Sequence, residues 1–459
     1  IQLAAQVTPG WWADKIISPA GNPGMFGRKC AFRSVLQLIY RDGSNQIIGT
    51  DTLRWRAGIA GPVTHAAIFD GEEYDARIPM GYDTPHQLTV PELNHEFAGE
   101  ILPSEGAEVY LRYDLAMSPK QAYIWREVDG ADSAQYGRVH VVRRYHKDQP
   151  MQLHPGETLV LDFGQNCAAV PSFVFSAEQG TRMTCYLGEL LNDSLGAYSR
   201  GMDGPEGSVH LRNLRNPDTG VKLIYTFANH KNAVSYIPSC TFFGYRYLSI
   251  TVTGDITIDR VRSVPVSSIT QAMETGTIKT GNDLVNRLIE NTIWGQRSNY
   301  LSVPTDCPQR NERLGWTADT QVFAKTGSFF ANTNSFFHKW LRDLRDTQSK
   351  TGGYPGVAPW GQYGSNSWDC MRAGWADAGV VVPWAIWSQY GDTTLLSEHW
   401  ASMERFMDRA AAYKYDHKEC ESNIYVRSIH YNHFDKYIHL CLLLKQTVLK
   451  NIVLYEVFP

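Results

Sequence analysis

Between Val303 and Asp319 the chain reads VPTDCPQRNERLGWTAD, which sets Asp306, Glu312 and Asp319 beside Arg310, Arg313 and Trp316. This mixture suits acid–base work on a sugar. Glycoside hydrolysis needs a protonated carboxyl next to the glycosidic oxygen. It also needs a second carboxylate to activate water or attack carbon. A proton donor needs a raised pKa, from apolar burial or like-charged neighbours, and Glu312, between Asp306 and Asp319 and close to Trp316, could have both. Asp306, Arg310 and Asp319 supply the acceptors and donors that sugar hydroxyls require. The bland reading of the same residues is a loop held together by ion pairs and helix caps. Two prolines and Asn311 make the first half of the segment a loop, and Thr317 is the candidate N-cap of a following helix.

A second aromatic-rich stretch runs through Trp360, Trp368 and Trp375. Each could wall a sugar pocket, although tryptophan on a helix more often fills a core.

The elements that must carry these residues change character along the chain. Residues 1–147 read as strands: Val35–Tyr40 alternates, Asp42-Gly43 turns, and Val109–Tyr113 and Val139–Arg143 follow the same period. Residues 148–268 repeat the pattern, with Thr158–Asp162, Ser172–Ser176, Met183–Leu187 and Tyr245–Val252 as short strands of a β-sandwich. From 269 the period becomes helical. Leu284, Val285, Leu288 and Ile289 share one face behind an Asn282-Asp283 cap, and Phe336, Phe337, Trp340, Leu341 and Leu344 form a second stripe capped by Asn332 or Thr333. Val380–Trp387 and Leu395–Tyr413 read as further helices. The expected architecture is therefore two β-sandwich-like domains followed by an α-helical domain that bears most of the chemistry.

Composition narrows the function. With 43 basic against 47 acidic residues and a net charge of -4, the chain lacks the basic stripe of a nucleic-acid binder. No stretch reaches the ~20 apolar residues of a membrane span. The eight cysteines are scattered without zinc or redox spacing, so they read as small buried hydrophobes. No phosphate loop, nicotinamide fingerprint, HExxH or calcium loop is present, and neither a cofactor nor a metal is expected.

DCPQRNERLGWTAD, at Asp306–Asp319, resembles the signature of the bacterial α-L-rhamnosidase family. Ile68–Arg77 (IFDGEEYDAR), Leu161–Asn166, Phe243–Tyr247, Thr351–Pro359 and Gly374–Asp377 resemble further family segments in the same order. The likeness runs from roughly residue 30 to 420. It implies a six-hairpin (α/α)6 barrel over residues 269–459 and an inverting mechanism that removes terminal α-L-rhamnose from glycans or glycosides. By that resemblance Glu312 is the general acid and Asp306 and Asp319 bind rhamnose hydroxyls. Trp316 packs against the sugar, Arg310 lies in the same shell, and Trp375 joins the substrate-binding set. The implied partner is a rhamnose-containing oligosaccharide, polysaccharide or glycoside, and polysaccharide degradation would place the protein in the periplasm or outside the cell.

Two departures qualify the likeness. Asn311 stands where many relatives carry an acid. The family's general base is a glutamate far downstream of the signature, and no residue here takes that role by matching; Glu404, Glu419 and Glu421 align with nothing. About six helices are expected, too few to close the barrel. From about Asn423 the composition changes, and the expectation is an incomplete barrel with an atypical, out-of-frame tail. The alternative reading is therefore a catalytically inactive carbohydrate-binding fragment. A third, another inverting (α/α)6 glycosidase with a different sugar, sits poorly with the signature.

Overall fold

The computed structural model describes residues 3–413 apart from 15–23, 25, 60, 84–87, 94–105, 107, 133–134, 147–148, 194–202, 213–220, 229–231, 311, 361–371 and 373. The tail from about Asn423, together with Glu419, Glu421, Asn311 and Trp368, lies outside the described residues. The chain forms two compact units. The first holds residues 1–316, 326–340 and 361–364, and the second holds 317–325, 341–360 and 365–459.

The first unit is mostly strand. The Asp42-Gly43 turn joins β1 (Val35–Ile39) to β2 (Asn45–Gly49), as the sequence predicts, and β3 (Val63–Ala67) pairs with β4 (Gly71–Asp75). β5 (Gln121–Asp129) and β6 (Arg138–Tyr145) form a third antiparallel pair. Then come β7 (Thr158–Ala177), β8 (Arg182–Gly188), β9 (Lys222–Thr226), β10 (Phe243–Val252) and β11 (Ile256–Ser267). Their hydrogen-bonded order is β3-β4-β9-β8-β10-β7-β11, with β5 also on β7. Strands from both sides of residue 147 thus share one network. The expected strand at Val109–Tyr113 shrinks to Tyr110–Leu111, because the chain turns into a short 3-10 helix at Tyr113–Leu115.

β7 is the spine of this unit. The sequence predicts two strands here, Thr158–Asp162 and Ser172–Ser176, whereas the structure runs through both as one strand of 20 residues. The break becomes a change of partner instead. Residues 158–162 lie against β5, and 169–177 against β11. Gly164 takes φ +77, a backbone conformation that side chains with a Cβ rarely adopt, and lets the strand turn. Alternate residues of β7 then feed different cores. Leu159, Leu161, Phe163, Cys167, Ala169, Phe173 and Phe175 enter the large one with Tyr225, Phe227 and Tyr245. Ala168 and Val170 face a second with Phe242, Val264 and Leu301. Burial on both faces explains why the strand reads as a nearly continuous apolar run.

Helices follow. α1 (Asp283–Asn299) starts at Asn282, whose side chain accepts from Leu284 N and Val285 N, the expected cap. Its predicted apolar face is not buried, however: Leu284 and Leu288 are 82% and 65% exposed. Period alone says which residues share a face, not what covers it. The helix is fastened by its last turn. Arg297 donates through Nε and Nη2 to both oxygens of Glu274 (2.8 and 2.7 Å), and the buried Arg112 donates to the same carboxylate at 2.9 Å. Ser298 Oγ accepts from Ala168 N on β7.

α2 (Thr317–Phe330) and α3 (Asn334–Asp346) come next. Phe336, Phe337, Trp340, Leu341 and Leu344 are all fully buried, as their spacing predicts, and Phe336 stacks on Tyr300 at 4.5 Å. Asn332 starts α3 by accepting from Asn334 N. In the second unit α4 (Ala378–Tyr390) ends at Gly391 in the left-handed conformation, and α5 (Thr393–Tyr413) begins with Asp392 accepting from Leu395 N. Tyr354 packs on Phe406 of α5. The fold class is thus β domains leading into a helical domain that forms part of a barrel. No helix among the described residues is long and apolar enough to cross a membrane.

The Glu274 carboxylate yields a pH-dependent prediction. Burial raises its pKa, but the hydrogen bonds and charges of Arg297 and Arg112 outweigh that and hold it below the ordinary 4.5. A carboxylate with a depressed folded pKa stabilises the fold above its unfolded pKa, and that stability is lost as pH falls through the folded value. Glu274→Gln should cost about 2 kcal/mol at neutral pH, the size expected for hydrogen bonds to charged groups. The gap between parent and variant in thermal denaturation should close in acid below about pH 4. A gap of constant size across that range would contradict the assignment.

Candidate active site

The acid segment leaves β-strand geometry at Pro304 and reaches α2 at Thr317. Its fold is set by one residue at each end. Asp306 N donates to Leu314 O (3.0 Å), and Asp306 Oδ1 accepts from Leu314 N (2.9 Å), which closes the loop across its base. Thr317, the expected N-cap, is instead the first helical residue, and Trp316 occupies the cap position without a side-chain cap bond. The reason is that Thr317 is engaged elsewhere: its N–H and its hydroxyl both donate to Gly356 O (2.9 and 3.0 Å).

The loop brings four of the sequence-predicted residues together. Glu312 is 5% exposed. Its Oε1 accepts from Trp316 Nε1 at 3.1 Å, and Arg310 Nη2 lies 3.0 Å from Oε2. Arg310 Nη2 also donates to Asp306 Oδ2 at 3.4 Å, and Arg310 Nε to Cys307 Sγ at 3.3 Å. One guanidinium therefore serves two carboxylates and a thiol. Trp316 is half-buried, so its ring edge binds the acid while part of the residue stays accessible.

Asp306, Cys307 and Glu312 place donor atoms within 4.8 Å of one another. A metal would have to displace Arg310, which already brings positive charge to all three. It would also have to deprotonate a thiol that burial, then the nearby Asp306 carboxylate, pushes up to about 11. The set is a poor cation cradle as it stands.

The other two predicted residues belong to the second compact unit. Asp319 lies on the first turn of α2 and is exposed, a favourable place for a carboxylate at a helix N-terminus. Trp375 is half-buried in the turn before α4. Beside it lies Asp377, which the sequence offers only as part of a motif; burial raises its carboxyl pKa against the opposing hydrogen bond from Gly374 N. Its aspartate type gave no sign of this, since the cause is how deeply the turn is packed. Glu404 is exposed on α5.

Comparison with known proteins settles the family. Residues 2–94 match the family model of the alpha-L-rhamnosidase N-terminal domain. Residues 152–267 match the bacterial alpha-L-rhamnosidase concanavalin-like domain, and 273–427 match the bacterial alpha-L-rhamnosidase 6 hairpin glycosidase domain. The chain belongs to the bacterial α-L-rhamnosidase family. A family member from Streptomyces avermitilis is 33% identical over 88% of this chain, and one from Formosa agariphila is 26% identical over 88%. The chain spans 35% and 39% of their lengths. Among solved structures, the S. avermitilis α-L-rhamnosidase complexed with L-rhamnose superposes with a TM-score of 0.70 at 30% identity, covering 88% of this chain and 34% of that one. The Aspergillus terreus α-L-rhamnosidase gives 0.66 at 26% identity, covering 87% and 41%.

Cysteine burial provides a check on the site. Cys307, Cys167 and Cys185 are buried, and burial raises the thiol pKa of each; Cys30 is exposed. Native alkylation with iodoacetamide at pH 8, followed by peptide mapping, should label Cys30 and spare these three until denaturant is added. Rapid native labelling of Cys307 would mean that the acid loop is open.

Proposed function

We propose that the chain contributes the acid side of an inverting α-L-rhamnosidase site, with Glu312 as general acid on the glycosidic oxygen of a terminal α-L-rhamnoside. The observation that carries the reading is the buried Glu312 carboxyl, held between the Trp316 indole N–H and the Arg310 guanidinium in a segment with the family signature. The Trp316 hydrogen bond and the Arg310 charge orient the carboxyl, which is what proton delivery to a defined oxygen requires. The bound sugar in the S. avermitilis relative supports rhamnose as the ligand. Asp306, Arg310, Trp316, Asp319 and Trp375 are proposed to bind the substrate.

Asp306 is not proposed as the base. Its donor oxygen lies within 4.8 Å of that of Glu312, whereas an inverting pair stands roughly 6.5–9.5 Å apart to admit water. Its oxygens are also committed to Leu314 N and Arg310. This favours a second reading, rhamnose binding without turnover, for the chain taken alone.

The test is hydrolysis of 4-nitrophenyl α-L-rhamnoside by the purified chain and by Glu312→Gln. Turnover that falls about 10²-fold or more in the variant supports the general acid. Proton NMR of the first-formed sugar should then show the β anomer, and the α anomer would refute inversion. A folded parent that binds rhamnose by calorimetry but does not turn over favours the second reading.

A further inference from the structure

We propose that Arg313 is the positioning residue of the acid loop, tying it to two segments that flank β strands, the turn after β3 and the approach to β10, so that the alignment of Glu312 is set from there. The proposal deepens the reading of Glu312 above and rests on it.

Arg313 follows Glu312 directly and is fully buried. Its Nη1 donates to Ile68 O (2.8 Å) and Phe242 O (3.0 Å), and its Nε to Arg310 O (3.1 Å). The guanidinium lies 4.5 Å from the Phe242 ring centroid and 5.2 Å from that of Phe69. Among the described residues no carboxylate pairs with it, and its buried Nη2 has no hydrogen-bond partner. Burial pushes its pKa down to about 10, so it is still charged at neutral pH. Its backbone sits at φ +53, a region that costs of order 1–3 kcal/mol for a residue with a Cβ. A buried charge on a strained backbone is a poor way to fill a core, where an apolar side chain is as good or better. What arginine provides is a rigid fork that spans two carbonyls and stacks on rings at once.

Two further contacts converge on the same junction. The residue after Phe243 is Gly244, and a Cβ there would lie 2.7 Å from Gln309 N and 2.8 Å from Gln309 Cα, so glycine lets β10 approach the acid loop. The buried Glu72 accepts from Tyr236 Oη (2.6 Å), Ser239 N (3.1 Å) and Cys240 N (2.9 Å). It thereby fixes the turn that delivers Phe242. The segments IFDGEEYDAR, FFGYRY and DCPQRNERLGW, far apart in sequence, thus meet around one guanidinium.

The test reads the Glu312–Trp316 hydrogen bond and not turnover. The chain is labelled with indole-15N tryptophan, and the Trp316 resonance is assigned by Trp316→Phe. Glu312→Gln calibrates the displacement caused by losing the carboxylate acceptor. Arg313→Met keeps the bulk and removes the donors; Gly244→Ala leaves Arg313 intact and pushes on Gln309. Both should move the Trp316 resonance by an amount comparable with Glu312→Gln, while the other indole resonances keep their dispersion. A Trp316 resonance at its parental position in folded Arg313→Met would overturn the proposal. Should Arg313→Met lose the whole spectrum, Arg313→Lys, which keeps the charge but not the fork that reaches both carbonyls, takes its place with the same two outcomes. If Glu312→Gln leaves rhamnoside hydrolysis unchanged, the acid reading fails, and the Trp316 signal still decides for or against Arg313 by itself.

Discussion

A charged group can be taken out of water only where hydrogen bonds replace its hydration, and that requirement organises the acid segment. Arg313 has two carbonyls next to strand ends, those of Ile68 and Phe242, and one from its own loop to satisfy it. Those carbonyls must therefore be in place before the loop can close as it does. Arg310 faces the other way and gathers Asp306, Cys307 and Glu312. One arginine looks into the sheets and the other into the site. The residue between them that matters chemically is held from both sides.

The sheets are suited to that task because β7 is shared. A strand that supplies both faces to packed cores, and both edges to neighbours, has no direction in which it can yield cheaply. Its large core is dense in aromatic rings: Phe175, Tyr225, Phe227 and Tyr236 lie within 4.7–6.4 Å of one another in the ring pairs they form. Ile68 and Phe242, the partners of Arg313, hang from the margins of this assembly, and Phe242 belongs to the second core along with Ala168 and Val170 of β7.

The sequence made the local features plain and the long-range ones hard to see. Asp42-Gly43 announces its hairpin, Asn282 its cap and the Phe336–Leu344 stripe its buried face, because each cause lies within a few residues. The acid segment was legible as a cluster for the same reason. Failures came where the cause is distant. Thr158–Asp162 and Ser172–Ser176 look like separate strands until the partners on either side are known. Leu284 and Leu288 look like core until the covering element is sought. Thr317 looks like a cap until Gly356 claims its donors. Arg313 was visible only as one more charge beside Glu312, since its partners are backbone carbonyls that no side-chain pattern reveals.

The parallel pairing of β4 with β9 joins Gly71–Asp75 to Lys222–Thr226. On a ribosome adding about 5–20 residues per second, the ~150 residues between them take roughly 8–30 s to emerge. Throughout that interval one edge of β4 has no strand beside it, and exposed edges are where nascent chains pair wrongly. The β3–β4 hairpin must wait in a form that neither commits nor aggregates, and the charges of Glu72, Glu73 and Asp75 along β4 are of the kind that discourages edge-to-edge association. The stretch reading DGEEYDAR is thus among the first parts of this unit to be made, and it waits through about 150 residues of synthesis for the strand that completes it.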